Sequence, residues 1–304
     1  MKKTCLAGLL AGLLLLSSCG ASGGVEEDGT LHVLATTYPV YLFTTAVTDG
    51  VENVEVDLLV NQQTSCLHDY TLTVNDMKAI EAADVIVING GGLEDFMDDA
   101  LAASDAPVID CSEGMELLPA LGHEGHDHDT EYDPHIWMDP GYAQNMMAAI
   151  ALKLGELVYG DDWAEHGEFH TNQLAAKDVL EQARQRWAEQ TASLAGAELI
   201  TFHDGFQYFA QAFDLNILKA IEEEEGSEAS AADIKEMVSL VEEHALPAIF
   251  TEVNGSDATA RAIARETGCE VYQLDMIMSG EGTGIQPYID AIQGNIDTIV
   301  EALG

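Results

Sequence analysis

The amino-acid sequence predicts an α/β protein of two similar lobes, each built on a mainly parallel four-stranded sheet with flanking helices. Three observations carry that expectation. Short runs rich in Val, Ile and Leu recur at 31–36, 54–60, 85–89 and 108–111, and again at 198–202, 217–221, 248–253 and 271–275. Helical patterns lie between them, at 74–82, 93–103 and 141–158 in the first half and at 205–213, 231–244, 256–267 and 286–302 in the second. Alternation of this kind covers parallel sheets with helices. Between the two sets lies a long stretch without Gly or Pro, from Glu168 to Ala195, bounded by Gly167 and Gly196.

Taken from its start, the chain opens with Lys2 and Lys3, an apolar run from Leu6 to Leu16, and then Ser17, Ser18, Cys19 and Gly20. That is the basic, apolar and small-residue order of a secretory signal. The apolar run is too short to span a bilayer as a stable helix. Its Leu-Ser-Ser-Cys ending resembles the bacterial lipobox, in which Cys19 becomes the lipid-modified first residue of the mature protein. Residues 20–30, rich in Gly, Ser and acids, read as a flexible tether. The expected division is a leader over 1–19, the tether over 20–30, a first lobe over 31–160, a connecting helix over 161–196 and a second lobe over 197–304.

In the middle stretch Phe169, Gln173, Ala176, Leu180, Ala183, Trp187 and Leu194 recur at steps of mostly three and four. That spacing marks one side of a helix. At 1.5 Å per residue such a helix is roughly 40 Å long, enough to run along both lobes as a connecting rod.

The chain carries 54 acidic residues against 11 basic ones, a formal charge of −43. Binding phosphate needs clustered Lys and Arg, so nucleic acid is excluded as a partner. An acidic surface raises the local concentration of cations, and it equally serves solubility or adaptation to salt. Besides Cys5 and Cys19, three cysteines remain, Cys66, Cys111 and Cys269, which allow at most one disulfide. Cys66 and Cys111 are the pair expected if one forms.

Three of the ten histidines occupy comparable places. His68, in "CLHDY", lies in the loop after the run 54–60; His135, in "DPHIWMDP", lies in the connection after 108–111; His203, in "ITFHDGF", directly follows 198–202. Open α/β sheets bind ligands outside the carboxyl ends of their strands, so three imidazoles there converge on the cleft between the lobes. Imidazole is the commonest nitrogen donor for transition metals, and three of them with a carboxylate or water form a tetrahedral zinc site. Asp275, in "YQLDMIMSG", and Glu252, ending "IFTE", are carboxylates at the same edge. A His-rich loop at 122–131, with His123, His126 and His128 among acids, reads as a weak metal collector beside the fixed site.

With these residues in view, the chain resembles the bacterial solute-binding lipoproteins of zinc and manganese ABC transporters, over nearly its whole mature length. "CLHDYTLTVNDMKAIEAADVIVINGGGLEDF" is similar to the family stretch that runs from an Asp-Pro-His through a short helix to an "ADxVxxNGxxLE" strand and turn. "DPHIWMDP" is the family's most specific signature and stands intact. "ITFHDGFQYFAQAFDL" looks like its "xxxHxAFxYFxxxYGL" segment, and "NIDTIVEAL" like its C-terminal helix.

The resemblance implies His68, His135 and His203 as the nitrogen donors. Manganese-favouring members place a glutamate where His203 stands, so a third histidine points to Zn²⁺, with Mn²⁺ the alternative. Two departures stand out. Leu67, preceded by Cys66, replaces the family's proline before the first histidine, and Cys66 reads as a disulfide partner or buried thiol. The fourth ligand aligns with Asp275 if one residue is inserted and with Met278 if not; Asp275 is the expectation, with water in reserve. The implied function is that of an extracytoplasmic receptor of an ABC importer, anchored to the cell membrane through Cys19, that captures Zn²⁺ and delivers it to a permease and its ATPase. The chain is expected to act as a monomer with modest lobe tilting and without covalent chemistry. A secreted zinc hydrolase is the rival class, but it needs an open coordination position and a general base, and the sequence lacks a His-Glu-x-x-His helix.

Overall fold

The computed structural model describes residues 29–61, 67, 70–121, 132–160, 167–220 and 230–304. The leader with Cys19, the loop positions Cys66 and His68, and the histidines at 123, 126 and 128 lie outside these residues.

Two four-stranded sheets form, each wholly parallel. The first comprises β1 (Leu31–Ala35), β2 (Val54–Leu58), β3 (Val85–Ile88) and β4 (Val108–Asp110), in the order β2-β1-β3-β4. The second comprises β5 (Glu198–Thr201), β6 (Asn216–Ala220), β7 (Ala248–Glu252) and β8 (Glu270–Leu274), in the order β6-β5-β7-β8. In both, the winding direction reverses after the second strand. This creates a crevice at the carboxyl ends of β1 and β3 in one sheet and of β5 and β7 in the other.

The helices between the strands are α1 (Tyr38–Val47), α2 (Val74–Ala82), α3 (Asp98–Ala103), α4 (Pro140–Tyr159), α5 (Glu168–Thr191), α6 (Gln207–Ala212), α7 (Ala231–His244), α8 (Ala258–Thr267) and α9 (Gln286–Leu303). Their ends follow local chemistry. Thr73 with Asp76 and Ser230 with Asp233 form capping boxes at the starts of α2 and α7, satisfying backbone N–H groups that the first turn leaves free. Asp139 caps α4, and Pro140 takes the first turn, where its missing N–H costs nothing.

Alternation along the strands divides the interior. Val33, Ala35, Val85, Val87, Leu199 and Phe250 face a shared core with Phe43, Trp137, Leu180, Phe206, Tyr288 and Ile299. Leu34 and Ile86 face the other way, against Ile80 of α2 and Met97. Ile200 and Ile249 pack outward against Met237 and Val241 of α7 and Ile263 of α8. The largest core therefore lies between the sheets and belongs to both.

The long central helix, α5, is shorter than the sequence pattern implied. It ends at Thr191 and finishes in a 3-10 turn at Ala192–Leu194, so it spans roughly 36 Å. Its striped residues are buried as expected. Asn172 near its start donates to the carbonyls of Val47 and Asp49, and Trp187 near its end donates to Gln293 of α9. The segment 93–103, expected as one helix, is a 3-10 turn at Asp95–Met97 followed by α3. Helix α1 is absent from the sequence expectation because it is buried almost all round and shows no polar face. Cys111 is a fully buried thiol, pushed well up by burial, and Cys66, the partner expected for it, lies outside the described residues.

Candidate metal centre

His135 and His203 meet at the boundary between the two sheets. His203 follows β5 at the crevice of the second sheet; His135 opens a 3-10 turn, Ile136–Met138, that leads through Asp139 into α4. Both are buried, at 5% and 6% exposure, far below what a solvated surface histidine shows. Their rings stand nearly perpendicular, with the two Nε2 atoms 3.3 Å apart. Two nitrogens bound to one tetrahedral zinc at about 2.0–2.1 Å lie roughly 3.3–3.4 Å from each other. The pair therefore already has the separation of two ligands on one ion.

A carboxylate stands behind each ring. Asp133 Oδ1 accepts from the backbone N–H of His135 at 2.9 Å and from its Nδ1 at 2.7 Å. Glu252, at the end of β7, places Oε1 3.0 Å from Nδ1 of His203. A carboxylate accepts and does not donate, so Asp133 keeps the His135 proton on Nδ1 and its lone pair on Nε2, and the charge of Glu252 favours the same arrangement in His203. This is the outer support that metal-ligating histidines require: it fixes the tautomer, orients the ring and raises its basicity. Both carboxylates are buried.

The loop that carries His135 is held from several sides. Asn89 Nδ2 donates to the Pro134 carbonyl at 2.8 Å. Asn89 belongs to a turn organised by Glu94, whose carboxylate accepts from Thr36 Oγ1 and from the backbone N–H groups of Asn89 and Gly90. Burial pushes the Glu94 carboxyl up to about 7 against these three lowering contacts. Only glycine fits position 90, where φ is +80° and a Cβ would fall 1.9 Å from Asp110 Oδ1. From helices of the second lobe, Tyr208 OH donates to the Asp133 carbonyl at 3.1 Å and Tyr288 OH to the Trp137 carbonyl at 2.7 Å. Trp137 Nε1 donates to the Met276 carbonyl at 2.9 Å. The base of the His-rich loop is also anchored here: Pro119 and Tyr132 form a bridge, and Leu121 N–H donates to Asp204 beside His203.

Asp275 sits just beyond β8. Its Oδ1 accepts from Ile277 N–H at 2.7 Å, and its backbone is clamped by Asn295 through both N–H and carbonyl. Burial raises its carboxyl, the Ile277 contact lowers it, and the nearby charge of Glu252 raises it again. The structure thus brings His135 and His203 together, places Asp275 on the adjoining loop with its carboxylate turned to its own backbone, and engages Glu252 behind His203. Among the described residues, no group of three or more His, Cys, Asp and Glu side chains is gathered as a preformed metal shell. Asp133 was missed by sequence reasoning, although its position two residues before His135 is the available signal.

The chain is similar to known proteins in sequence and in fold. The family described as ZnuA, zinc-uptake complex component A, periplasmic, matches residues 33–302. The zinc-binding lipoprotein AdcA of Streptococcus pneumoniae is 28% identical over 98% of this chain, which spans 60% of the length of that relative. The high-affinity zinc uptake system protein ZnuA of Bacillus subtilis is 28% identical over 97% of this chain and 96% of its own. The manganese-binding lipoprotein MntA of Halalkalibacterium halodurans is 25% identical over 100% and 99%. A crystal structure of ZnuA superposes with a TM-score of 0.76 at 25% identity, covering 90% of this chain and 100% of that one. The chain belongs to the ZnuA family of zinc-uptake components.

Proposed function

We propose that the chain is the extracytoplasmic receptor of an ABC importer that captures Zn²⁺ between its lobes and hands it to a membrane permease and its ATPase. The observation that carries this reading is the pair of Nε2 atoms 3.3 Å apart, one imidazole from each side of the cleft, each backed by a buried carboxylate. His68 supplies the third nitrogen and Asp275 the fourth donor. Three neutral imidazoles and one carboxylate leave a bound Zn²⁺ with one net positive charge, offset by the acidic surroundings. Cys19 anchors the receptor to the membrane, and 122–131 collects ions near the cleft. The protein works as a monomer.

No catalytic step is needed. A hydrolase keeps one coordination position open beside a general base, and Glu252, the carboxylate best placed for that role, is engaged with His203. Lobe motion is small, because hydrogen bonds from Tyr208, Tyr288 and Trp137 and a common core join the two sides.

The manganese-binding name of one relative makes metal choice the point to test. Competitive titration of the metal-free mature protein with Zn²⁺ and Mn²⁺, beside His203→Ala, is expected to give one tight zinc, weak manganese and loss of the tight site in the variant. Equal competition by Mn²⁺, or a tight site untouched by His203→Ala, overturns the reading.

A further inference from the structure

We propose that the thioether of Met276 is a soft donor at the imidazole pair, so that the same cleft also takes a thiophilic monovalent ion, Cu(I) or its redox-inert analogue Ag⁺. The proposal rests on His135 and His203 being metal donors. Its own support is the packing around Gly205. A Cβ built there would lie 2.3 Å from Met276 Cε, 2.8 Å from His203 Cδ2 and 3.1 Å from His135 Cδ2. The methyl of Met276 and the edges of both imidazoles therefore close together on the bare face of Gly205, where a further methyl has no room. In each ring Cδ2 is bonded to Nε2, and in the methionine Cε is bonded to sulfur. All three donor atoms thus stand one bond from atoms packed against the same glycine.

The backbone of Met276 is fixed relative to His135, because its carbonyl accepts from Trp137 Nε1, two residues on from that histidine. Its side chain, by contrast, is unbranched and turns readily about the Cγ–Sδ bond, which swings the methyl aside and presents the sulfur lone pairs. Met276 is 4% exposed and belongs to the shared core that also holds Trp137 and Phe206, so a neutral donor set faces little competition from water. Thioether sulfur prefers Cu(I) and related soft ions over the harder divalent ones. Two successive residues, Asp275 with a hard oxygen and Met276 with a soft sulfur, thereby offer the imidazole pair two different classes of ion.

The test uses the metal-free mature protein carrying ¹³C-methyl methionine, titrated with AgNO₃ in chloride-free buffer and separately with Zn²⁺. The Met276 methyl resonance is assigned by its absence in Met276→Leu. One equivalent of Ag⁺ is expected to shift that resonance in the parent and to leave it unmoved in His135→Ala. The ratio of Ag⁺ to Zn²⁺ affinity is expected to fall at least tenfold in Met276→Leu. If Ag⁺ binds only at thiols, the Met276 resonance stays in place and the proposal is overturned, as it is by an unchanged affinity ratio. Failure of Zn²⁺ itself to bind in the parent, by contrast, strikes the receptor reading.

Discussion

Asp133 and His135 are bonded twice through a single oxygen: Asp133 Oδ1 accepts from both the backbone N–H and the ring Nδ1 of His135. Ring plane and tautomer are thereby set together, leaving Nε2 free for an ion. Loss of such a support typically weakens metal binding by about 10- to 100-fold. Asp133→Ala is therefore expected to lower zinc affinity in that range, with Asp133→Asn, which keeps a neutral acceptor, lying between it and the parent. Unchanged zinc affinity in the alanine variant, measured by competition with a chelator, contradicts this role.

The loop after β8 grips the first lobe closely. Gly280 exchanges two hydrogen bonds with the Asn61 side chain, and Tyr38 OH donates to the Glu281 carbonyl at 2.6 Å. A Cβ at position 280 would lie 2.6–2.8 Å from the ring edge and hydroxyl of Tyr38. The ring is packed beneath the loop, so the loop must lift. Gly280→Ala is expected to cost about 1–3 kcal/mol of stability, as overpacking does. Chemical denaturation reads this directly, and a midpoint equal to the parent's would show that the loop gives way freely.

Glu94 imposes a pH dependence on the fold. Its carboxyl holds its proton up to about pH 7 in the folded chain, against 4.5 for an unburied glutamate. The folded state binds the extra proton between those values, so this group's contribution to stability is fully present below the lower value and is lost as pH rises through the higher one. Glu94→Gln, uncharged throughout, removes that part of the slope. Urea midpoints measured without metal are expected to shift in favour of the variant as pH rises from 4.5 to 7; parallel profiles for variant and parent would place the titration elsewhere.

The central strands were legible because they are covered on both faces. Runs such as Val85–Ile88 and Ala248–Glu252 read as continuous apolar stretches, as buried parallel strands do. The same all-round burial hid α1, whose Tyr38, Val40, Leu42, Phe43 and Val47 leave no polar side to mark a helical period. At the site, His135 and His203 stood out as histidines at equivalent strand ends. Asp133 did not, since one more acid in a chain with 54 carries no signal until the backbone shows it folding back on its neighbour. Met276 was hidden for another reason: its place beside the imidazoles depends on the missing side chain of Gly205, a relation across 71 positions that no local pattern contains.

With the largest hydrophobic interior running beneath both sheets, the two halves are expected to melt as a unit. An ion held as proposed between His135 and His203 would therefore be felt as far away as Val33 and Ile299. At a free concentration one hundred times the dissociation constant, a ligand held only by the folded state stabilises the whole chain by about 2.7 kcal/mol. Under the proposed function, the zinc-loaded chain is therefore expected to outlast the empty one against heat and proteases.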